Sequence, residues 1–277
     1  MIDFDFFFHN PAEGNPAPHR GREALYDWGH AENRWLREAV WTLRAKDFLC
    51  DGTDLPRCEG YEDFWGRFTF TDEIPPLLYA DSNLYAGQVT PFHFGLFDLK
   101  ATAWRDVHLF DAHHDSGGYP LEHGPTSFED WRELGEFSCS DWMLVHHDKG
   151  SRLTVTYPAW RPEGDSYLPI IPLHTTVDDG REVAAPFDAV FLARSGSWVP
   201  SWCDDQFTQL LAAFPGRAHL FPGSEWKHPR PDPLPQARRM AEDFFEMRTR
   251  PETQAARTRP STLGPQPAAA PAHRPEP

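Results

Sequence analysis

Short apolar runs that end abruptly in polar residues recur along this 277-residue chain. Apolar runs of this length, bounded by turn residues, are typical of buried β-strands. The pattern predicts strands over residues 74–80, 104–110 and 187–193, and the residues that follow each run are polar or glycine-rich. Residues 3–8 and residues 153–157 also read as strands.

Helical periodicity marks four other segments. Residues 23–49 carry apolar side chains at three- and four-residue steps, which predicts an amphipathic helix. One or two short helices are predicted over residues 131–145, an acid-capped helix over 204–214, and an amphipathic helix over 234–247. Strands separated by helices or long irregular segments indicate an α/β fold with a mostly parallel sheet.

Composition divides the chain into three parts. Residues 1–222 contain the predicted strands and form one domain in this interpretation, because 277 residues suit a single core with additions. Residues 223–250 are a C-terminal extension with one predicted helix. Residues 251–277 are rich in proline, alanine and arginine, so we expect a disordered tail there.

The most informative polar cluster follows the apolar residues 107–110. Alternation along the strand places Asp111, His113 and Asp115 on one side and Ala112 and His114 on the other. Two carboxylates and one imidazole suit Mn, Fe or Zn. The sequence therefore predicts a metal site here. The alternative is a surface turn, in which Asp115 caps the next segment.

Two further polar clusters follow predicted strands, where open α/β sheets bind ligands. Asp204 and Asp205 stand after a loop that contains two tryptophans, and either carboxylate is a candidate metal ligand. The alternative is an ordinary helix N-terminus, where acidic residues stabilise the helix dipole. Asn83, in the third cluster, is a neutral oxygen ligand or a turn residue.

The net charge of −16 limits the partners of the chain. Nucleic acid is excluded as an expected partner, because binding phosphates requires Lys and Arg. A cationic substrate is favoured, although acidity also serves solubility. No apolar stretch approaches the roughly 18 to 20 residues that cross a bilayer, and residues 1–8 lack the pattern of a signal peptide. We expect a cytoplasmic protein without membrane contact.

These motifs together resemble the arginase, or ureohydrolase, superfamily, and in particular its divergent peptide-arginase branch. The resemblance covers roughly residues 1–215 and rests on FDAHHD at 110–115, YADSN at 79–83, SCSDW at 138–142 and RSGSWVPSWCD at 194–204. It implies a three-layer α/β/α fold with two Mn ions at the carboxyl ends of the strands.

The resemblance also implies roles for individual residues. Asp111 bridges the two metals in this interpretation, while His113 and Asp115 each hold one of them. Asp204 or Asp205 completes the site. Asn83 stands where the superfamily usually has a histidine ligand, and residues 195–197 read SGS where it has Asp-x-Asp. A single bound ion is therefore the alternative to two.

The implied activity is conversion of arginine side chains to ornithine with release of urea, in a ribosomally synthesised peptide. Asp115 is the candidate to relay a proton to the leaving amine. Trp198, Trp202 and Asp205 are assigned to substrate binding, because the indoles can stack on a guanidinium; their alternative role is loop packing. Two other functions stay open: a metal-dependent amide hydrolase or deacetylase, and a degenerate, non-catalytic peptide-binding protein.

Overall fold

A parallel sheet of seven strands forms the centre of the protein. Every strand pair in it is parallel, and the strand order is β6 (His174–Val177), β5 (Arg152–Tyr157), β4 (Asp106–Phe110), β1 (Ile2–Asp3), β8 (Val190–Ala193), β3 (Leu77–Ala80) and β9 (Ala218–Leu220). The computed structural model describes residues 1–9, 34–70, 73–96, 103–119, 125–165, 167–196, 198–224, 226 and 230–249.

The strands of the central sheet are short. A separate two-stranded parallel sheet contains β2 Phe68–Phe70 and β7 Val183–Phe187.

Helices accompany the sheet. They are α1 Arg34–Asp51, α2 Phe128–Leu134, α3 Met143–Asp148, α4 Asp204–Ala213 and α5 Leu234–Thr249. Helix α5 packs against α1. Among the described residues, no helix combines the length and the apolar character that crossing a bilayer requires.

The middle of the central sheet is buried on both faces, whereas its edge strands β6 and β9 are exposed. Along β8, Val190 and Leu192 belong to one apolar cluster, while Phe191 and Ala193 belong to a second one. Because successive side chains of a strand point to opposite faces, the two clusters lie on opposite sides of the sheet. Strands covered on both faces are the mark of α/β proteins. The three-layer α/β/α fold predicted from the sequence is confirmed.

Several predicted elements have different bounds. Residues 3–8 are not a strand: β1 ends at Asp3, whose side chain accepts a hydrogen bond from the Asp5 N–H and starts a short 3-10 helix, Phe4–Phe7. The predicted strand over 187–193 is confirmed only as β8. Part of the predicted helix 23–49 is α1, whereas residues 23–33 and the tail 251–277 lie outside the described residues.

The topology brings distant segments to one edge of the sheet. Strand β1 pairs with β4 on one side and with β8 on the other. Because these strands are parallel, their carboxyl ends meet at the same edge. The residues that follow β1, β4, β8 and β3 therefore face one another there, although they are far apart in the chain.

Candidate metal centre

The loop after β4 carries the residues of the central motif. Strand β4 ends at Phe110, so strand alternation does not continue through residues 111–115, and an irregular turn sets their directions instead. The His113 N–H donates to Asp111 Oδ1 at 2.8 Å. His114 turns to another environment, where its Nε2 lies 3.0 Å from the Tyr167 carbonyl oxygen. His114 thus points away from Asp111 and His113, as expected from the sequence. The cause is an irregular turn and not the alternation of a strand.

The end of β1 and the 3-10 helix that follows it add two carboxylates, Asp3 and Asp5, that the sequence interpretation did not count as ligands. Asp5 Oδ2 lies 2.9 Å from His113 Nδ1, and Asp5 Oδ1 accepts from the Ala112 N–H at 3.3 Å. Two sets of ligand atoms result, each within 4.8 Å of one another: Asp5, Asp111 and His113 in the first, and Asp3, Asp111 and Asp115 in the second. Asp111 belongs to both sets, as a bridging ligand must.

The side chains of both sets are buried, which makes their charges costly. Burial, together with repulsion from neighbouring carboxylates, raises the pKa of Asp111 and of Asp3 well above the usual range. Burial also raises the pKa of Asp115 to about 7. Four buried carboxylates therefore share a space in which their negative charges repel one another.

His113 is the one basic group within these two sets. Burial disfavours its charged form, but the Asp5 carboxylate outweighs that effect and raises the pKa of His113 to about 9. One imidazolium does not balance four carboxylates. The remaining negative charge is what divalent cations neutralise.

The donor set fits a pair of divalent cations. Asp3 Oδ2 and Asp111 Oδ2 are buried and have no hydrogen-bond partner among the described residues. A buried carboxylate oxygen without a partner is costly unless a ligand completes it. Mixed carboxylate and imidazole donors suit Mn, Fe or Zn. The residues present fit the metals that the resemblance implies.

Asn83 contacts the site through its amide nitrogen. Its Nδ2 donates to Asp115 Oδ2 at 2.7 Å, and the indole Nε1 of Trp142 donates to the same oxygen at 2.6 Å. An amide N–H is a donor and does not coordinate cations. Asn83 therefore lies at the centre, as predicted, but its observed contact is a hydrogen bond to a ligand.

Asp204 is placed differently from its predicted role. The Arg230 guanidinium binds its carboxylate, with Nε 2.9 Å from Oδ1, and Arg194 Nη1 lies 3.6 Å from Oδ2. Asp204 is in neither set of ligand atoms. Asp205 pairs with Arg57 at 2.7 Å on the exposed surface. Neither carboxylate completes the metal site, because arginines hold both.

The two tryptophans of the loop after β8 have separate environments. The ring of Trp198 lies 4.5 Å from the ring of His113, centroid to centroid, so this indole borders the centre. Trp202 donates to the Pro56 carbonyl oxygen at 2.8 Å and packs edge-on against Trp41. Trp198 thus lies beside the candidate centre, whereas Trp202 packs against the core.

The candidate ligands that the sequence interpretation missed, Asp3 and Asp5, do form a recognisable sequence pattern. Asp3 and Asp5 form an Asp-x-Asp pair directly after an apolar strand start. The resemblance places such a pair after the later strand, β8, and the structure has it after β1, the strand that pairs with β8. The pair was missed because residues 3–8 were interpreted as one continuous strand.

Comparison of the chain with protein-family models, curated proteins and solved structures finds no match. The geometry of the centre and the motifs of the chain are therefore the basis for a function.

Proposed function

We propose that the protein is a manganese-dependent hydrolase that converts arginine side chains of a peptide to ornithine and releases urea. The observation that carries the proposal is the pair of ligand sets that share Asp111. The choice of arginine rests on the motif resemblance. The net charge of −16 supports it, because it favours approach of a cationic substrate.

The residues divide into two cation sites in this proposal. Asp5, Asp111 and His113 hold one cation, and Asp3, Asp111 and Asp115 hold the other. Cations held there supply a water molecule of lowered pKa, which is a nucleophile at neutral pH.

The reaction has two further requirements. Hydrolysis adds water at the guanidinium carbon, breaks its bond to the side-chain nitrogen and requires a proton on that nitrogen. Asp115 is the residue that the sequence predicts to carry this proton, but its Oδ2 accepts from Trp142 and Asn83 and its other oxygen would face a cation, so in this proposal the proton on the leaving nitrogen comes from the added water. Trp198, beside His113, offers an aromatic face to the guanidinium.

Urea release tests this function. The protein is loaded with Mn, given an arginine-containing peptide, and assayed for urea and ornithine. The Asp111→Ala variant should lose the activity by at least roughly 1,000-fold, because both ligand sets lose their shared member. The control is Asp106→Ala, at the opposite end of the same strand, where the side chain is exposed and pairs with Arg152. Equal urea release by Asp111→Ala and the control would refute the proposal.

The same centre is chemically suited to amide hydrolysis, so acetyl-lysine peptides belong in the assay beside arginine peptides. Acetate release without urea would replace the arginine proposal with a deacetylase. Failure to retain Mn, together with binding of the peptide, would favour the non-catalytic alternative.

A further inference from the structure

Asp115 has a backbone conformation that its neighbours must maintain. Its φ is +47°, in the left-handed region that non-glycine residues rarely adopt. Such a conformation costs about 1 kcal/mol or more and persists where surrounding contacts fix it. The segment around Trp142 supplies two backbone contacts: Met143 N–H donates to the Asp115 carbonyl at 3.0 Å, and Gly117 N–H donates to the Ser140 carbonyl at 3.1 Å.

The side chain of Asp115 is held as firmly as its backbone. Trp142, which is fully buried, donates its indole N–H to Oδ2, and Asn83 donates to the same oxygen from the loop after β3. Two hydrogen bonds use the two lone-pair directions of one carboxylate oxygen. Oδ1 is the oxygen left for a cation.

We propose that Trp142 and Asn83 are positioning residues that present Asp115 to the metal centre through a single oxygen. The inference rests on the proposed function for the identity of the centre. The two N–H donors favour the ionised carboxylate. They also prevent it from rotating to bind a cation with both oxygens. Asn83 is then a partner of a metal ligand rather than a ligand itself.

Because of this arrangement, loss of the Trp142 hydrogen bond should weaken metal binding at the two cation sites to different degrees. Trp142 has one side-chain donor, and that donor is bound to Asp115, which belongs only to the set with Asp3. Removing a group that orients a metal ligand typically weakens metal binding by about 10- to 100-fold. We expect that loss at the Asp3–Asp111–Asp115 site and a smaller one at the site of Asp5 and His113.

Trp142→Phe tests the proposal against a matched control. Trp131 is buried in the same apolar cluster, and its Nε1 has no hydrogen-bond partner among the described residues. Trp131→Phe therefore removes the same atoms without removing a hydrogen bond. Mn per chain is measured by equilibrium dialysis and elemental analysis. In Trp142→Phe the second ion should bind about 10- to 100-fold more weakly, whereas Trp131→Phe should bind both ions like the wild type. Equal binding by the two variants overturns the proposal.

Asn83→Asp distinguishes positioning from direct ligation by the sign of its effect. If Asn83 were a ligand, a carboxylate would bind Mn more tightly. If Asn83 positions Asp115, the new carboxylate faces Asp115 Oδ2, repels it and weakens the second ion. Tighter Mn binding overturns the proposal, and this result decides alone if Trp142→Phe does not fold.

A metal-free readout separates this proposal from the proposed function. Trp142 is identified in a ¹⁵N-tryptophan NMR spectrum as the indole signal that Trp142→Phe lacks. In Asp115→Ala this signal should move upfield and exchange faster with water, because its acceptor is gone, while the Trp131 signal stays in place. An unchanged Trp142 signal overturns the positioning role. Absence of Mn binding in the wild type overturns the proposed function instead.

Discussion

Two groups of buried charged residues lie at the carboxyl edge of the same sheet, and they differ in which cationic groups balance the charge of their carboxylates. After β1 and β4, the carboxylates of Asp3, Asp5, Asp111 and Asp115 share one imidazole within their two ligand sets. After β8, the single carboxylate of Asp204 lies between Arg230 and Arg194. The first group has more carboxyl groups than cationic groups, and two of its buried oxygens have no hydrogen-bond partner in the part of the chain that the structure describes; the second has two arginines for one carboxylate.

The difference separates a candidate metal site from a structural ion pair. A buried carboxylate needs a counter-charge, and it takes either an arginine of the chain or a cation from solution. Asp204 has the arginine. Asp111 and Asp115 have no ion pair with an arginine among the described residues; Arg161 contacts the Ala112 carbonyl and lies 3.6 Å from Asp165. An acidic residue after a strand therefore indicates a metal ligand only where no cationic side chain of the protein forms an ion pair with it.

The largest expected effect comes from exchanging a carboxylate for an amide in each group. Asp3→Asn should eliminate one of two Mn ions, a loss larger than the roughly 100-fold that follows from disturbing a residue that merely orients a ligand. Asp204→Asn should keep both ions, because its carboxylate contacts arginines. Elemental analysis of the two dialysed variants makes the comparison. Loss of Mn in Asp204→Asn alone would reverse the assignment of the two groups.

In the metal-free protein, the uncompensated charge of the first group should make the free energy of unfolding depend on pH. Asp115 and His113 have pKa values of about 7 and about 9, both above their usual values of 3.8 and 6.5. Each group binds its proton more tightly when the protein is folded, so stability is lost as pH rises through the folded-state pKa. Between pH 6 and 9 the free energy of unfolding should fall by about 4 kcal/mol, since one pKa unit corresponds to about 1.4 kcal/mol.

Denaturant titrations across this pH range measure the slope. Saturating Mn should reverse it, because the cations bind the deprotonated ligands. His113→Gln in the metal-free state is the control and should flatten the slope above pH 7. A metal-free wild type whose stability rises steadily from pH 6 to 9 would contradict the electrostatic account of the centre.

The smallest of the three effects concerns the second group. Arg230→Met leaves Asp204 buried with Arg194 as its remaining partner, and breaking a buried pair from one side costs about 3 kcal/mol. Thermal or denaturant unfolding should show this loss, while Mn binding stays at two ions. Arg238→Met, on α5, serves as the control and should unfold like the wild type. A drop in Mn stoichiometry without a loss of stability would link Arg230 to the metal site.

The sequence predicted those residues of the candidate centre that lie close together in the chain. The apolar residues 107–110 and the polar residues after them correctly placed Asp111, His113 and Asp115 together at the end of a strand. The parallel α/β fold also followed from the alternation of strands and helices. These predictions work because apolar runs and turn residues act over a few positions.

The rest depends on contacts between distant parts of the chain. Asp5 meets His113 only because β1 inserts between β4 and β8, and no local pattern gives that strand order. Asp204 looked like a ligand because Arg230 lies 26 residues later, beyond the predicted helix 204–214, and no local pattern joins the two. The Trp142 contact with Asp115 likewise spans 27 residues. Which carboxylates have a cationic partner is therefore decided by the folded structure and not by the local sequence.

Anomalous diffraction at the Mn absorption edge tests the central claim most directly. A crystal of the protein grown with Mn should give two peaks, one beside Asp5 and His113 and one beside Asp3 and Asp115, each about 2 Å from a carboxylate oxygen of Asp111. Peaks at Asp204, or no peak next to Asp111, would contradict a metal centre built on the shared carboxylate.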